Sequence, residues 1–136
     1  MTGTPTLGIA EAAARTGLTA DTLRYYERDG LLVRAVGRSP SGHRRYDEGD
    51  LRWIEMITRL RSTGMPIRDV RRYTELVRRG DGNEQDRLDL LRAHRQLVLA
   101  QLAEVQEHLG AIDAKIGLYE DAVLRRGLDL ERTPSA

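Results

Sequence analysis

The chain has 136 residues, 22 Lys and Arg against 21 Asp and Glu, and a formal net charge of +1; this length suits one small domain plus an extension. It contains no cysteine, which excludes disulfides, thiolate metal sites and cysteine-based redox sensing. No apolar run is long enough to span a bilayer, and the amino-terminal MTGTPTLG lacks a basic segment leading into an apolar core. A cytoplasmic protein, without a secretory signal or membrane partner, is expected.

The near-neutral total hides a division. Residues 1–80 hold 15 Arg against 10 acids, whereas residues 81–136 hold 6 Arg and 1 Lys against 11 acids. A basic front suits contact with phosphates, and an acidic back does not. Arg outnumbers Lys 21 to 1, which favours forked recognition of phosphate or guanine.

Residues 1–5 read as an amino-terminal arm. The first helix is expected over roughly Ile9–Thr16, with Ala10, Ala13 and Ala14 making a small, close-packing face and Gly17 taking the turn. The second helix starts after Thr19, a good N-cap, with Asp21 in its first turn complementing the helix dipole, and ends near Gly30. Leu18, Leu23, Tyr26 and Leu31 form its inward set. Asp21, Arg24, Tyr25 and Arg28 recur at helical spacing and share the other face. Two helices around a tight turn, followed by a basic loop, make a device for gripping duplex DNA.

Residues 32–46 break the helical period. Gly37 and Ser39-Pro40-Ser41-Gly42 sit between short apolar or basic flanks and predict a small β-hairpin. From residue 34 to residue 45 there are four Arg and no acid. A third helix begins at Asp47, where Asp47 and Asp50 resemble a capping box, and runs to about Ser62. Gly64-Met65-Pro66 interrupts it, and the proline then opens a fourth helix over Ile67–Arg79. Gly80-Asp81-Gly82 reads as a turn or hinge. Tyr46 and Trp53 are expected in packing roles.

The fifth helix, expected over residues 83–123, carries the clearest periodicity. Leu88, Leu91, Arg95, Val98, Leu102, Val105, Leu109, Ile112, Ile116, Tyr119 and Val123 follow one another in steps of 3 and 4 without a slip. This is a coiled-coil seam, with Arg95 its only polar member. So long a seam calls for a second copy of the chain, which makes these residues the expected dimer interface. Antiparallel pairing would set Leu88 opposite Tyr119 of the other copy and Leu102 opposite Val105, with Arg92 near Asp113. Charge permits that pairing without demanding it. His94 and His108 both fall at the flanking g position, where antiparallel strands would bring them together. Two imidazoles make an incomplete metal site, so a solvated flank is the plainer reading. Residues 124–136 read as a short tail.

Three segments, LGIAEAAARTGLTADTLRYYERDGLL, GHRRYDEGDL and RLRSTGMPIRDVRRY, resemble in order and spacing the DNA-binding domain of the MerR family of bacterial transcription regulators. The resemblance covers residues 6–80 and continues into the long helix. It implies a mainly α fold: a winged helix-turn-helix with a small hairpin wing, then a dimerisation helix forming an antiparallel coiled coil. It also implies a homodimer on a pseudo-palindromic promoter site, bending and undertwisting the spacer DNA so that RNA polymerase can use its two elements. By the same resemblance Arg24 and Tyr25 occupy recognition-helix positions, with Thr22 beside them. Arg44 is the wing arginine, with Arg38, His43 and Arg45 as further wing candidates. Arg61 is a phosphate contact, and Arg15 is a candidate near the first turn.

Regulation is less legible. Without cysteine, the thiol sensors of many relatives are ruled out. A small-molecule effector between coiled coil and DNA-binding domain, control by amount or by a protein partner, and the histidine site remain open. No cofactor and no metal are expected, and no phosphate-cradling glycine loop or nucleophile–base pair points to an enzyme. Two alternatives stand beside the promoter regulator: a coiled-coil interaction adaptor, and a purely architectural or repressing DNA binder.

Overall fold

The structure, a computed structural model, describes residues 5–132. Most of the expected amino-terminal arm and the last four residues of the expected tail therefore lie outside the described residues. The helices are α1 (Ile9–Thr16), α2 (Ala20–Arg28), α3 (Glu48–Ser62), α4 (Ile67–Arg78) and α5 (Glu84–Arg132), with strands β1 (Gly37–Arg38) and β2 (Arg44–Arg45) between α2 and α3. The chain divides into two compact units at Arg95/Gln96.

In the first unit, local chemistry places each boundary. Gly17, at φ 73°, closes α1 in the left-handed conformation that its missing Cβ permits, and its N–H reaches Ala13 O. The Thr19 hydroxyl accepts the N–H of Thr22 at 3.1 Å and starts α2. Asp47 and Asp50 form a complete capping box on α3, each side chain accepting the other's backbone N–H at 2.8 and 3.0 Å. Pro66 precedes α4 with φ −58°, a value its ring already imposes.

The hairpin is antiparallel, pairing Gly37 with Arg45 and Arg38 with Arg44. Its turn is closed by Ser39 N–H to His43 O at 2.8 Å. The sequence does not announce a further pairing: Leu7 and Tyr46 exchange two backbone hydrogen bonds of 2.8 Å, so the segment before α1 extends the base of the wing.

Ala12, Leu23, Tyr26, Leu31, Tyr46, Leu51, Ile54, Ile57, Met65 and Val70 fill one core. Ala12 is fully buried in this core, and a larger side chain there would overpack it. Trp53 stacks on Tyr73 with centroids 5.6 Å apart and donates its indole N–H to Leu31 O at 2.7 Å. The Gly80-Asp81-Gly82 link is braced rather than free: the Asn83 amide donates to Leu76 O at 2.8 Å, and Arg87 donates to Gly80 O. Leu91 packs against this same core, so the first turns of the heptad seam are shared with the chain's own domain.

The second unit is the continuation of α5. Leu102, Val105, Leu109, Ile112, Ile116, Tyr119 and Val123 are all exposed in the single chain. The helix does not stop at Val123, where the seam ends, but runs on to Arg132. The next seam position is Arg126, which breaks the apolar pattern. Residues 124–132 nevertheless hold three Leu and three Arg, good helix formers. Heptad spacing locates the seam, not the helix end.

Candidate nucleic-acid interface

The exposed face of α2 carries Asp21, Arg24 and Arg28. Arg24 Nη1 lies 2.8 Å from Asp21 Oδ1, one turn back on the same helix; an exposed pair of this kind is weak and easily exchanged for another anion. Tyr25 is half-buried, with its ring 6.2 Å from Tyr26 and the Arg28 guanidinium 5.9 Å from its centroid. Thr22 belongs to the cap: its hydroxyl meets that of Thr19 at 2.9 Å.

The wing is tied to α2 through one carboxylate. Glu27 accepts Arg38 Nη2 at 3.0 Å on one oxygen and Arg44 Nε at 2.7 Å on the other. The hydrogen bond to Glu27 holds the Arg44 guanidinium above its ordinary pKa, against the opposing effect of burial. Arg45 turns the other way, donating to the Thr6 hydroxyl at 3.0 Å and the Thr6 carbonyl at 2.7 Å. His43 Nδ1 meets the Ser41 hydroxyl at 2.9 Å. The apparent surplus of arginine in this loop is thus partly compensated from outside it. Arg34 is likewise held by Asp47 and Asp50, at 2.9 and 3.2 Å.

A cleft of about 390 Å³ opens between α2, the wing and the start of α1, and Arg24, Arg38, His43, Arg44 and Arg45 all line it beside Gly8, Ile9 and Ala10. Five of the nine DNA-contact candidates therefore converge on one groove. The other four, Arg15, Thr22, Tyr25 and Arg61, do not line it. Arg15 pairs with Glu48 at 2.5 Å and links α1 to α3. Arg61 Nη1 donates to Met65 O at 2.9 Å, closing the turn between α3 and α4. Glu27 is the functional residue that reading the sequence misses. Its one signal is negative: an acid-free basic loop must find its counter-charge elsewhere, and Glu27 falls a turn beyond Arg24.

His94 has a partner within the first unit. Its Nε2 lies 2.7 Å from the Thr63 hydroxyl. That hydroxyl also donates to Arg59 O at 2.7 Å, so His94 is tied to the turn after α3. His108 lies on the second unit, 3.8 Å from Glu104. Among the described residues no cluster of three His, Asp or Glu side chains is arranged to hold a metal ion.

A short helix pair with a capped second helix presenting Arg24 and Arg28, a hairpin wing clamped to it, and a helix with an unpartnered apolar seam together define a winged helix-turn-helix regulator. Comparison with known proteins agrees. Residues 7–76 match the family model for MerR helix-turn-helix family regulatory proteins, and residues 51–115 match the model described as MerR, DNA binding. The chain is 36% identical over 113 residues to an HTH-type transcriptional regulator of Haemophilus influenzae, covering 83% of each protein. It is 44% identical over 93 residues to the HTH-type transcriptional regulator AdhR of Bacillus subtilis, covering 68% of this chain and 66% of that one. Among solved structures it resembles HiNmlR, a MerR family regulator lacking the sensor domain and bound to promoter DNA, with TM-score 0.77, 35% identity, and coverage of 88% of this chain and 94% of that one. A MerR family regulator from Bacillus thuringiensis gives TM-score 0.74 and 30% identity, covering 85% of this chain and all of that one. The chain belongs to the MerR family of DNA-binding transcription regulators.

Proposed function

We propose that two copies of the chain pair antiparallel through the α5 seam and bind a pseudo-palindromic promoter site, one winged helix-turn-helix on each half. Arg24 reads a base edge or phosphate from α2, Tyr25 and Thr22 support it, and Arg44 contacts the backbone from the wing with Arg38, His43 and Arg45 around it. Arg61 and Arg15 add phosphate contacts. The observation that carries this reading is the convergence of Arg24 and the wing cations on one groove. Each cation there is either exposed or paired with a partner that a phosphate can replace. The relative HiNmlR is seen on promoter DNA, which supports the same placement.

The dimer acts on RNA polymerase indirectly in this proposal, by bending and undertwisting the spacer between promoter elements. It works in the cytoplasm, as a binder and not as a catalyst. No helix among the described residues is long and apolar enough to cross a membrane. The test is in-vitro transcription with purified protein and bacterial RNA polymerase on the DNA upstream of its own gene. The proposal expects a footprint between the −35 and −10 elements, together with a change in transcript level. A footprint with only falling transcript favours the purely repressing or architectural binder, and weak, sequence-blind binding favours the coiled-coil adaptor.

A further inference from the structure

A second concentration of positive charge lies away from the groove between α2 and the wing. A cleft of about 450 Å³ runs along α4 to the corner after α2, and five arginines line it, Arg68, Arg71, Arg72, Arg78 and Arg79. They face two carboxylates, Asp29 and Glu75, which leaves three positive charges in excess. Leu76 is the one apolar side chain among its lining residues.

The five arginines are not equivalent. Arg71 is anchored to Asp29, by Nη2 to Oδ2 at 2.7 Å and by Nε to the Asp29 carbonyl at 3.3 Å. Arg78 is anchored by the carbonyls of Leu32 and Val33, at 2.5 and 3.3 Å, and by Glu75 at 2.8 Å. These two fix the walls. Arg72 has no hydrogen-bond or ion-pair partner among the described residues. Arg68 reaches Asp69 only at 3.9 Å and is 84% exposed, and Arg79 reaches Glu75 at 3.4 Å. Positions 68, 72 and 79 fall at i, i+4 and i+11, which puts these three cations in one stripe along the helix. Like charges so placed repel one another, and Glu75 and Asp69 compensate Arg79 and Arg68 only in part.

We propose that this cleft binds a phosphorylated small molecule carrying at least two negative charges, and that this ligand is an effector of the regulator. The proposal rests on the regulator reading for the word effector only; binding itself does not. Phosphate suits the stripe because its several oxygens accept from two or three guanidinium forks at once, which a single carboxylate does not. The volume is that of an ordinary small-molecule site. The anchored pair ties the cleft to Asp29 and the segment after α2, so an occupant would bear directly on the carboxyl-terminal end of that helix.

The chain carries its own reporter. Trp53 is the single tryptophan. It stacks on Tyr73, the neighbour of Arg72, and its indole donates to Leu31 O, next to Gly30 of the cleft. The probe is inorganic pyrophosphate, titrated into the full chain and followed by Trp53 fluorescence and calorimetry, against sodium chloride at matched ionic strength. The expected result is a saturable change that chloride does not reproduce. Affinity should fall about tenfold or more in the Arg72→Gln/Arg79→Gln double variant, with an unchanged unfolding midpoint and unchanged affinity for promoter DNA. Pyrophosphate affinity that survives the double substitution would overturn the proposal, as would a response equal to that of chloride. A double variant that loses DNA affinity, with a shallower salt dependence, would also overturn it and assign the stripe to the DNA backbone. A wild-type chain that binds pyrophosphate but gives no promoter footprint would refute the regulator reading alone.

Discussion

Replacing Tyr46 with phenylalanine removes one oxygen from the centre of the first unit. The ring is fully buried, and its hydroxyl is the one buried side-chain polar atom among the described residues without a hydrogen-bond partner. An unpaired buried hydroxyl costs about 1–3 kcal/mol. Phenylalanine keeps the ring volume, and the bridge to Leu7 runs through the backbone of residue 46 and survives the change. Tyr46→Phe should therefore stabilise the protein by about 1 kcal/mol, or raise the midpoint by about 4 °C for a chain of this size. The assay is thermal and urea unfolding at one fixed protein concentration, because association shifts apparent stability. A second signature lies in alkali. Burial raises the Tyr46 hydroxyl above its ordinary 10.0, so the unfolded chain releases this proton at a lower pH than the folded one. Below pH 10 both states hold it and nothing changes; above, the wild type loses stability until the folded value is passed, and the phenylalanine variant does not share that loss. The gap between the two proteins should widen above pH 10. A variant less stable than wild type by about 1 kcal/mol, or a gap constant through alkaline pH, would refute the reasoning and mean that the hydroxyl is bonded.

Four further outcomes are expected. Arg24→Ala should cost about 1–3 kcal/mol of specific DNA binding and relax preference at one base position, read by anisotropy on operator and scrambled duplexes; an equal loss on both would demote Arg24 to a phosphate contact. Glu27→Gln should free Arg38 and Arg44 and steepen the salt dependence of DNA binding by about one unit of slope, while narrowing the ratio of specific to non-specific affinity. Asp47→Ala should cost about 0.5–2 kcal/mol through the lost cap. Because the backbone N–H of Asp50 and the nearby Arg34 hold Asp47 below its ordinary 3.8, its contribution is complete above that pH and is lost as pH falls through the lower folded value, so the variant should show a flatter acid limb in urea melts. Leu102→Glu combined with Val105→Glu should give a monomer in sedimentation, with the first unit still folded and operator affinity sharply reduced.

The parts of the fold set by neighbours in sequence were legible in it. Thr19, Gly17, Pro66 and the Asp47–Asp50 box mark helix ends through bonds spanning three or four residues, and the alternation of Leu23 and Tyr26 with Arg24 names the buried face of α2. What escaped notice depends on partners distant in the chain. Counting charges within residues 34–45 gives four unopposed arginines, yet Glu27 and the Asp47–Asp50 pair come from outside that window and hold three of them. Leu7 could not be matched to Tyr46 from a two-residue strand signal. The carboxyl-terminal end of α5 is not legible from the seam, because a seam reports burial against a partner while the helix runs on through Leu- and Arg-rich residues to Arg132. The convergence of Arg24, Arg38, His43, Arg44 and Arg45 on one groove follows from the basic loop and the face of α2, while the Glu27 clamp is not legible there.

That clamp has a mechanical consequence. Glu27 and Arg24 ride on the same short helix, α2, and Glu27 grips both Arg38 and Arg44. In the proposed complex, Arg24 and the wing cations would therefore be jaws of one caliper, set to a single opening. A duplex whose groove separation differs cannot satisfy both jaws at once. It must either be deformed to the set width or pull Arg38 and Arg44 from their carboxylate. On that proposal, the strength of one side-chain clamp would decide whether protein or DNA yields first, and would bound how much distortion binding imposes on the DNA between the two halves of a dimer.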